Sequence, residues 1–217
     1  MNSARRWLQQ RVLSPIVDCS YIVMSLLFLW GFPRWYERFT EWHYRRQARH
    51  YDQSVIALEG ARYAQALEAG LQALSVQPKR ILDVNTGTGF VAQKLLVLFP
   101  EAKIVATDLS EAMLTQARQR SPHIEFVRAD TGKLPFADES FDLVTLHNGP
   151  PYLAEMARVL RPKGQMLIAF TSGARVPRPL LHRWLSVARR FGQVEWRCVG
   201  DGLWVLVTKA TPTNHDT

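Results

Sequence analysis

The chain has 217 residues, of which 47% are hydrophobic and 21% are charged, which supports one domain with a short appendage and excludes wholesale disorder. Its net charge is +8, and residues 1–50 supply +5 of it through eight arginines against three acids, which excludes a body that is evenly basic and binds nucleic acid over its whole surface. The two cysteines, Cys19 and Cys198, lie too far apart in sequence for a disulfide framework or a metal knuckle, as is typical of a reducing compartment.

Residues 12–32 form an apolar run that Asp18 and a few small polar residues interrupt, and aromatic residues and arginines follow it. Such a combination is typical of a membrane interface. The uninterrupted stretch has 14 residues, whereas a bilayer crossing needs about 20. We therefore expect residues 1–50 to form a hydrophobic and basic helical appendage that binds the cytoplasmic face of a membrane as a peripheral, re-entrant or single-span segment. The alternative is a soluble cytoplasmic protein in which this helix folds over the domain's own cleft.

From residue 51 onward, apolar runs alternate with helical patterns, which predicts an α/β fold with a doubly wound, mostly parallel sheet. A three-residue break at 200–202 predicts a closing hairpin and one antiparallel strand. The predicted strands are 80–84, 103–107, 124–128, 141–146, 165–170, 194–199 and 203–208, and the predicted helices are 56–74, 90–98, 110–120, 152–160 and 179–191. This domain is predicted to span residues 51–210, with a disordered tail at 211–217.

Residues suited to a nucleoside-like ligand follow three of the predicted strands, and ligands of such sheets bind beyond the carboxyl ends of the strands. After the first strand, Gly87 and Gly89 allow a sharp turn and a close approach of the backbone to a ligand. After the second, Asp108 lies 25 residues beyond Asp83, where a carboxylate can accept hydrogen bonds from a ribose diol. After the third, Asp130 is placed to accept from an exocyclic amine.

In the order and spacing of these signals the sequence resembles the class I S-adenosylmethionine-dependent methyltransferases, particularly the group that includes quinone and other small-molecule methyltransferases. The resemblance covers roughly residues 51–209 and rests on LDVNTGTG, ATDLSEAML, LPFADESFDLV and EMARVLRPKG. It implies a Rossmann-like fold of seven strands with the last antiparallel, S-adenosylmethionine as the cofactor and methyl transfer as the activity. No metal ion is expected in the site.

The resemblance also implies which residues bind the cofactor. They are Asp83, Asn85, Gly87 and Gly89 around its methionine part, Asp108 on the ribose hydroxyls, Leu109 on the adenine face, Asp130 and Thr131 at the adenine amino edge, and Tyr51 as an aromatic cover. Asn85 stands where the family pattern D-x-G-x-G-x-G has its first glycine. Because asparagine tolerates a positive φ better than other residues with a side chain, we expect cofactor binding to be kept.

The part of the chain expected to frame the acceptor departs from the family. Only the 13 residues 145–157 separate FDLV from RVLRPKG, where members of the family carry several more. At the tip of the fourth strand, His147 is the candidate base, because an imidazole there would face the methyl group and titrate near neutral pH. The alternative is a histidine that only hydrogen-bonds the shortened loop. Asn148 and Tyr152 are candidates for orienting an acceptor.

Three functional hypotheses follow. The main one is a methyltransferase that acts on a small, lipophilic acceptor, such as a quinone precursor, at the membrane. The segment NGPPY (148–152) resembles the N-P-P-Y signature of amino-group methyltransferases, with Gly149 interrupting it, so a nucleobase or protein amide is the second hypothesis. The third is a cofactor-binding membrane adaptor without catalysis. Residues 175–191 are basic and amphipathic, and a solvated helix face explains them more simply than a membrane surface does.

Overall fold

The structure is a computed structural model, and it describes residues 44–45, 48, 50–53 and 60–211. Between residues 60 and 211 it contains one seven-stranded sheet flanked by helices. The strands are β1 (Arg80–Val84), β2 (Lys103–Asp108), β3 (Glu125–Arg128), β4 (Phe141–His147), β5 (Leu160–Phe170), β6 (Gly192–Val199) and β7 (Gly202–Lys209). The helices are α1 (Ala61–Gln72), α2 (Phe90–Leu98), α3 (Glu111–Arg120), α4 (Leu153–Val159) and α5 (Arg178–Ala188), with a 3-10 turn at Gly173–Arg175.

The strand order is β3-β2-β1-β4-β5-β7-β6. The pairs β1–β2, β1–β4, β2–β3 and β4–β5 are parallel, and β7 runs antiparallel to both of its neighbours. This confirms the predicted doubly wound sheet with one reversed strand. From β1 the chain adds β2 and β3 on one side of the sheet and then β4 and β5 on the other, so the strand order reverses between β1 and β4. At such a point a crevice opens beyond the carboxyl ends of the strands.

Both faces of the sheet are covered, which explains why the central strands read as nearly continuous apolar runs. Neighbouring residues of β1 point to opposite faces, so Ile81 joins the core beneath α1 and α2 while Leu82 joins the core beneath α4 and α5. Both side chains are fully buried. The two cores hold the strand ends in fixed positions, and this rigidity positions the loops that follow them.

Strand β5 begins earlier than predicted. Leu160 pairs with Phe141, and after a register shift the regular pairing with β4 resumes at Gln165 opposite Leu143. The residues in between, 161–164, read RPKG, so the continuous apolar run starts only after Gln165. The predicted start of the strand at 165 was therefore wrong by five residues, and the topology is unaffected.

The predicted membrane-binding run, residues 12–32, and the tail beyond residue 211 lie outside the described residues. Within the described part of the chain, no helix combines the length and the apolar character that a bilayer crossing requires. Among the described residues before Gly60, Asp52 lies against the domain. The ring of Tyr51 meets that of Tyr44 edge to face at 6.1 Å, and Asp52 accepts a hydrogen bond of 2.7 Å from the Thr88 hydroxyl.

Candidate functional site

A cleft opens at the carboxyl ends of β1 to β4 and, with its mouth, encloses about 880 Å³. Ten of the residues predicted from sequence line it, namely Tyr51, Asn85, Gly87, Asp108, Leu109, Asp130, Thr131, His147, Asn148 and Tyr152. The topology thus brings together residues that lie up to 101 positions apart in sequence, Tyr51 and Tyr152.

The loop between β1 and α2 provides the backbone wall of the cleft. Asn85 and Gly87 both have positive φ, 54° and 57°, as the glycine-rich pattern requires. A Cβ placed on Gly87 would meet no atom within 4 Å, so the backbone faces open space there. The Gly87 N–H donates to Asp108 Oδ2 at 2.8 Å, which fixes the loop to the end of β2.

Asp108 ends β2 with its carboxylate in the cleft wall. Its Oδ1 accepts from the Ser110 N–H at 2.9 Å, and its Oδ2 accepts from Gly87. Burial raises the pKa of Asp108, while the backbone N–H groups that it accepts from lower it. Each carboxylate oxygen has two lone pairs, so the group can accept further hydrogen bonds from ligand hydroxyls.

Beside β3, the Asp130 Oδ1 accepts from the Gly132 N–H at 2.8 Å. The Thr131 hydroxyl donates to Asn85 Oδ1 at 2.8 Å, which sets the orientation of the Asn85 amide. Asn85 Nδ2 is then buried without a hydrogen-bond partner in the described part of the chain. Thr131, which is predicted to contact a ligand, therefore also has a structural role, because it holds Asn85.

Two predicted residues, Asp83 and Gly89, are not part of the cleft lining. Asp83 is fully buried and accepts hydrogen bonds from the hydroxyls of Thr86 (2.6 Å) and Thr145 (2.7 Å). Burial raises the pKa of Asp83 to about 7, against the lowering effect of these hydrogen bonds. Gly89 is the residue just before α2, where a Cβ would lie 3.2 Å from that of Ala117 on α3. Both residues shape the loop from outside the cleft.

His147 lies at the tip of β4 and is 6% exposed. Its ring meets the Tyr63 ring edge to face at 4.7 Å and lies near the Phe90 ring at 6.4 Å. Burial lowers the pKa of His147 to about 3, and a hydrogen bond with the Tyr63 backbone offsets this only in part. The expectation that His147 titrates near neutral pH was therefore wrong, because the apolar surroundings disfavour the charged imidazolium.

Asn148 and Tyr152 form the wall after β4. The Asn148 side chain donates from Nδ2 to the Thr171 hydroxyl at 2.8 Å and accepts at Oδ1 from the Thr171 N–H at 2.9 Å. Both ends of its amide thus tie β4 to β5. Tyr152 precedes α4 and lies with its ring against Gly132, where a Cβ would be 2.9 Å from the ring.

Several cleft residues were missed at the sequence level. Tyr44, Tyr63 and Phe90 add aromatic surface to the wall, and Thr171 holds Asn148 at its edge. Thr171 directly follows β5, so the same strand-end argument would have found it. Tyr63 and Phe90 belong to helices, where the sequence does not show which face meets the cleft.

The charge of the lining is one-sided. Among the described residues that line the cleft, Asp108 and Asp130 are the carboxylates, and there is no lysine or arginine. His147 is neutral at physiological pH because its pKa is lowered to about 3. The remainder of the wall is largely aromatic or uncharged. An anionic ligand group would therefore meet no cationic side chain in this part of the chain.

Comparison with known proteins gives consistent matches. Residues 81–164 match a family model described as a methyltransferase domain. A malonyl-[acyl-carrier protein] O-methyltransferase of Halorhodospira halophila is 33% identical over 150 residues, which cover 64% of this chain and 50% of that protein. A ubiquinone/menaquinone biosynthesis C-methyltransferase of Dinoroseobacter shibae is 39% identical over 118 residues, or 48% of this chain and 46% of that protein. The chain thus spans about half the length of these curated relatives.

The fold also has solved counterparts. A TehB-like S-adenosylmethionine-dependent methyltransferase from Corynebacterium glutamicum superposes with a TM-score of 0.59 at 22% identity, over 77% of this chain and 98% of that one. At this level of identity the likeness shows the fold. The match extends over most of the described domain.

Proposed function

We propose that this chain is a class I S-adenosylmethionine-dependent methyltransferase that transfers a methyl group to a small, uncharged and lipophilic acceptor at the cytoplasmic face of a membrane. The match of residues 81–164 to a methyltransferase-domain model supports the activity. One observation carries the proposal. The strand ends bring seven of the nine predicted cofactor-binding residues into one cleft, and the rest of its wall is uncharged and partly aromatic, with no cationic side chain among the described residues.

S-adenosylmethionine fits the residues around the glycine loop. Gly87 leaves open the space that a side chain would fill, and Asp108 retains lone pairs for the ribose hydroxyls. In this proposal Leu109 packs on the adenine, Asp130 accepts from its amino group, and the Tyr51 ring covers the bound molecule. The cofactor, when bound, supplies an electrophilic methyl group on a sulfonium.

The acceptor is inferred from the remaining wall. Tyr63, Phe90 and Tyr152 provide apolar and aromatic surface that suits a ring or chain of low polarity. A carboxylate acceptor would face the two cleft carboxylates without a compensating cation in the described lining. The names of the two curated relatives specify a malonyl group on a carrier protein and quinone biosynthesis. The lining supports an acceptor closer to the second.

We assign His147 an orienting role. Methyl transfer from a sulfonium is an in-line displacement that depends mainly on alignment. An imidazole with a pKa of about 3 is a weak base at pH 7, so it removes a proton poorly. Packed between Tyr63 and Phe90, the neutral ring instead fixes the shape of the cleft.

The membrane part of the proposal is supported by the sequence of residues 1–50. An apolar run followed by aromatic residues and arginines suits the interface, and it raises the local concentration of an acceptor that dissolves in the bilayer.

The amino-group alternative is less well supported. Both ends of the Asn148 amide are bound to Thr171, so the end of β5 sets its orientation and Oδ1 keeps one lone pair for an amino group.

The test uses purified full-length protein and S-adenosylmethionine with a labelled methyl group, incubated with a membrane extract or a soluble extract of the source organism. We expect label in the organic-solvent fraction of the membrane sample, and little label with the matched Asp108→Ala variant. Label confined to nucleic acid or protein would favour the amino-group alternative. Cofactor binding without any transfer would favour the adaptor hypothesis.

A further inference from the structure

Helix α5 separates its side chains into two chemically different faces. Leu181, Trp184, Leu185 and Ala188 are buried on the side that packs against the sheet. The opposite side and the turn that follows it carry cationic or ionisable residues that are all exposed, namely Arg178, His182, Arg183, Arg189 and Arg190. We call this exposed set the α5 basic face.

The arginines of the α5 basic face have no acidic partner in the described part of the chain. Ion pairs elsewhere in the domain include Arg175 with Asp201, just before the helix, and Arg158 with Glu155. Residues 175–191 contain five arginines and no aspartate or glutamate. Outside this segment and residues 1–50, the chain carries slightly more acidic than basic residues. The positive charge of the protein is therefore concentrated in two segments.

Helix stability does not explain this arrangement. The first turn of α5 contains Arg178 and no acidic residue. A cation there opposes the positive end of the helix dipole, whereas Arg189 and Arg190 at the other end are favourable. Part of the α5 basic face therefore opposes the stability of the isolated helix, as expected of charges that serve a partner.

We propose that the α5 basic face is a second membrane contact, which binds the anionic headgroups of the bilayer. The proposal rests on the membrane location proposed above for residues 1–50. Guanidinium groups bind phosphate oxygens with paired hydrogen bonds, and an anionic leaflet attracts clustered arginines. The chain leaves β5 at Thr171, which contacts Asn148 of the cleft wall, seven residues before α5 begins. Nucleic acid fits less well, because the one aromatic residue of α5, Trp184, is buried and cannot stack on bases.

The test measures co-sedimentation of the full-length protein with phosphatidylcholine vesicles, with and without phosphatidylglycerol. The variant R183Q/R190Q removes two exposed charges outside the cleft. The matched control K79Q/K163Q removes the same net charge from exposed lysines elsewhere on the domain. We expect R183Q/R190Q to bind the anionic vesicles about thirtyfold more weakly, with unchanged binding to pure phosphatidylcholine. The control should bind both vesicles like the wild type.

Four outcomes would overturn the proposal. If vesicle binding weakens equally in both variants, then only the net charge of the protein matters. If R183Q/R190Q binds anionic vesicles like the wild type, then the α5 basic face does not contact the membrane. A loss of duplex DNA or RNA binding in R183Q/R190Q, with vesicle binding unchanged, would assign the face to nucleic acid. Failure of the wild type to bind either vesicle would refute the membrane location itself. Cofactor binding, measured in parallel, should be equal in all variants and shows that the domain is intact.

Discussion

Asn85 and Gly149 occupy adjoining space in the cleft wall, and a Cβ built on Gly149 would lie 2.5 Å from Asn85 Nδ2 and 3.2 Å from Asn85 Cβ. The two residues belong to different loops, one after β1 and one after β4. Each departs from a family pattern, since Asn85 replaces a glycine and Gly149 interrupts N-P-P-Y. The two departures account for each other, because the Asn85 side chain fills the space that a side chain at position 149 would need.

The first prediction concerns this pair. Gly149→Ala should lower the free energy of unfolding by about 1–3 kcal/mol, the usual cost of overpacking, because Thr131 holds the Asn85 amide in place. In the Asn85→Gly background the same alanine should cost clearly less. Urea unfolding of the two single variants and the double variant measures the coupling. Strict additivity would show that the two residues do not compete for space.

The second prediction concerns the end of β2. Asp108→Ala should weaken the binding of S-adenosylmethionine by at least about 1.5 kcal/mol, roughly tenfold, because a charge-assisted hydrogen bond to the ribose is lost. Calorimetric titration measures the affinity, and a thermal melt without cofactor controls for folding. Unchanged affinity in a folded variant would refute the assignment of Asp108 to the ribose.

The third prediction concerns Asp52, which precedes α1 in sequence and is bound to the glycine loop between β1 and α2. One carboxylate oxygen accepts from the Thr88 hydroxyl, and the other pairs with Arg120 at the end of α3. Asp52→Asn keeps the size and loses the charge. We expect it to weaken cofactor binding by about 1 kcal/mol or less, because the pair is partly exposed.

A matched control is available for this substitution. Glu68 pairs with Lys94 between α1 and α2 at 2.6 Å, and neither residue lines the cleft. Glu68→Gln should leave the cofactor affinity unchanged. If Asp52→Asn behaves like this control, then Asp52 contributes no more to the cleft than an ordinary surface pair does.

The fourth prediction concerns His147 and pH. Its pKa is about 3 in the folded protein against 6.5 as its ordinary value, so the unfolded chain binds a proton first as the pH falls. The stability that the neutral ring contributes is therefore present above pH 6.5 and is lost as the pH falls toward 3. His147→Gln should lose less stability over this range in urea unfolding. Parallel curves for the two proteins would contradict the lowered pKa.

The sheet and the strand-end residues were predictable because both depend on local pattern. Apolar runs bounded by turns predicted the bounds of β1 and β4 to within one residue. Because the carboxyl ends of parallel strands meet at one edge of the sheet, Asp108 could be placed beside Gly87. The neutrality of His147 was not predictable, because it depends on Tyr63 and Phe90, which come from helices distant in sequence. A helical pattern shows which residues are apolar and leaves open which of them surround a given strand tip.

The fifth prediction concerns Asp83, whose pKa is raised, whereas that of His147 is lowered. Its pKa is about 7 in the folded protein against an ordinary 3.8, because the carboxylate is fully buried and lies near the charge of Asp108. The folded state therefore favours the protonated acid. The stability that this group contributes is fully present below pH 3.8 and is lost as the pH rises through 7, by an amount on the order of 4 kcal/mol.

Asp83→Asn mimics the protonated acid and should remove this dependence. In urea unfolding, the variant should gain stability relative to the wild type between pH 5 and 8. The Thr86 and Thr145 hydroxyls donate to the carboxylate and favour its charged form, so they keep the pKa from rising further. Asp108→Asn offers an independent check, because removing the neighbouring charge should move the Asp83 transition to lower pH. If that transition stays in place, then burial alone raises the pKa and the two carboxylates are not coupled.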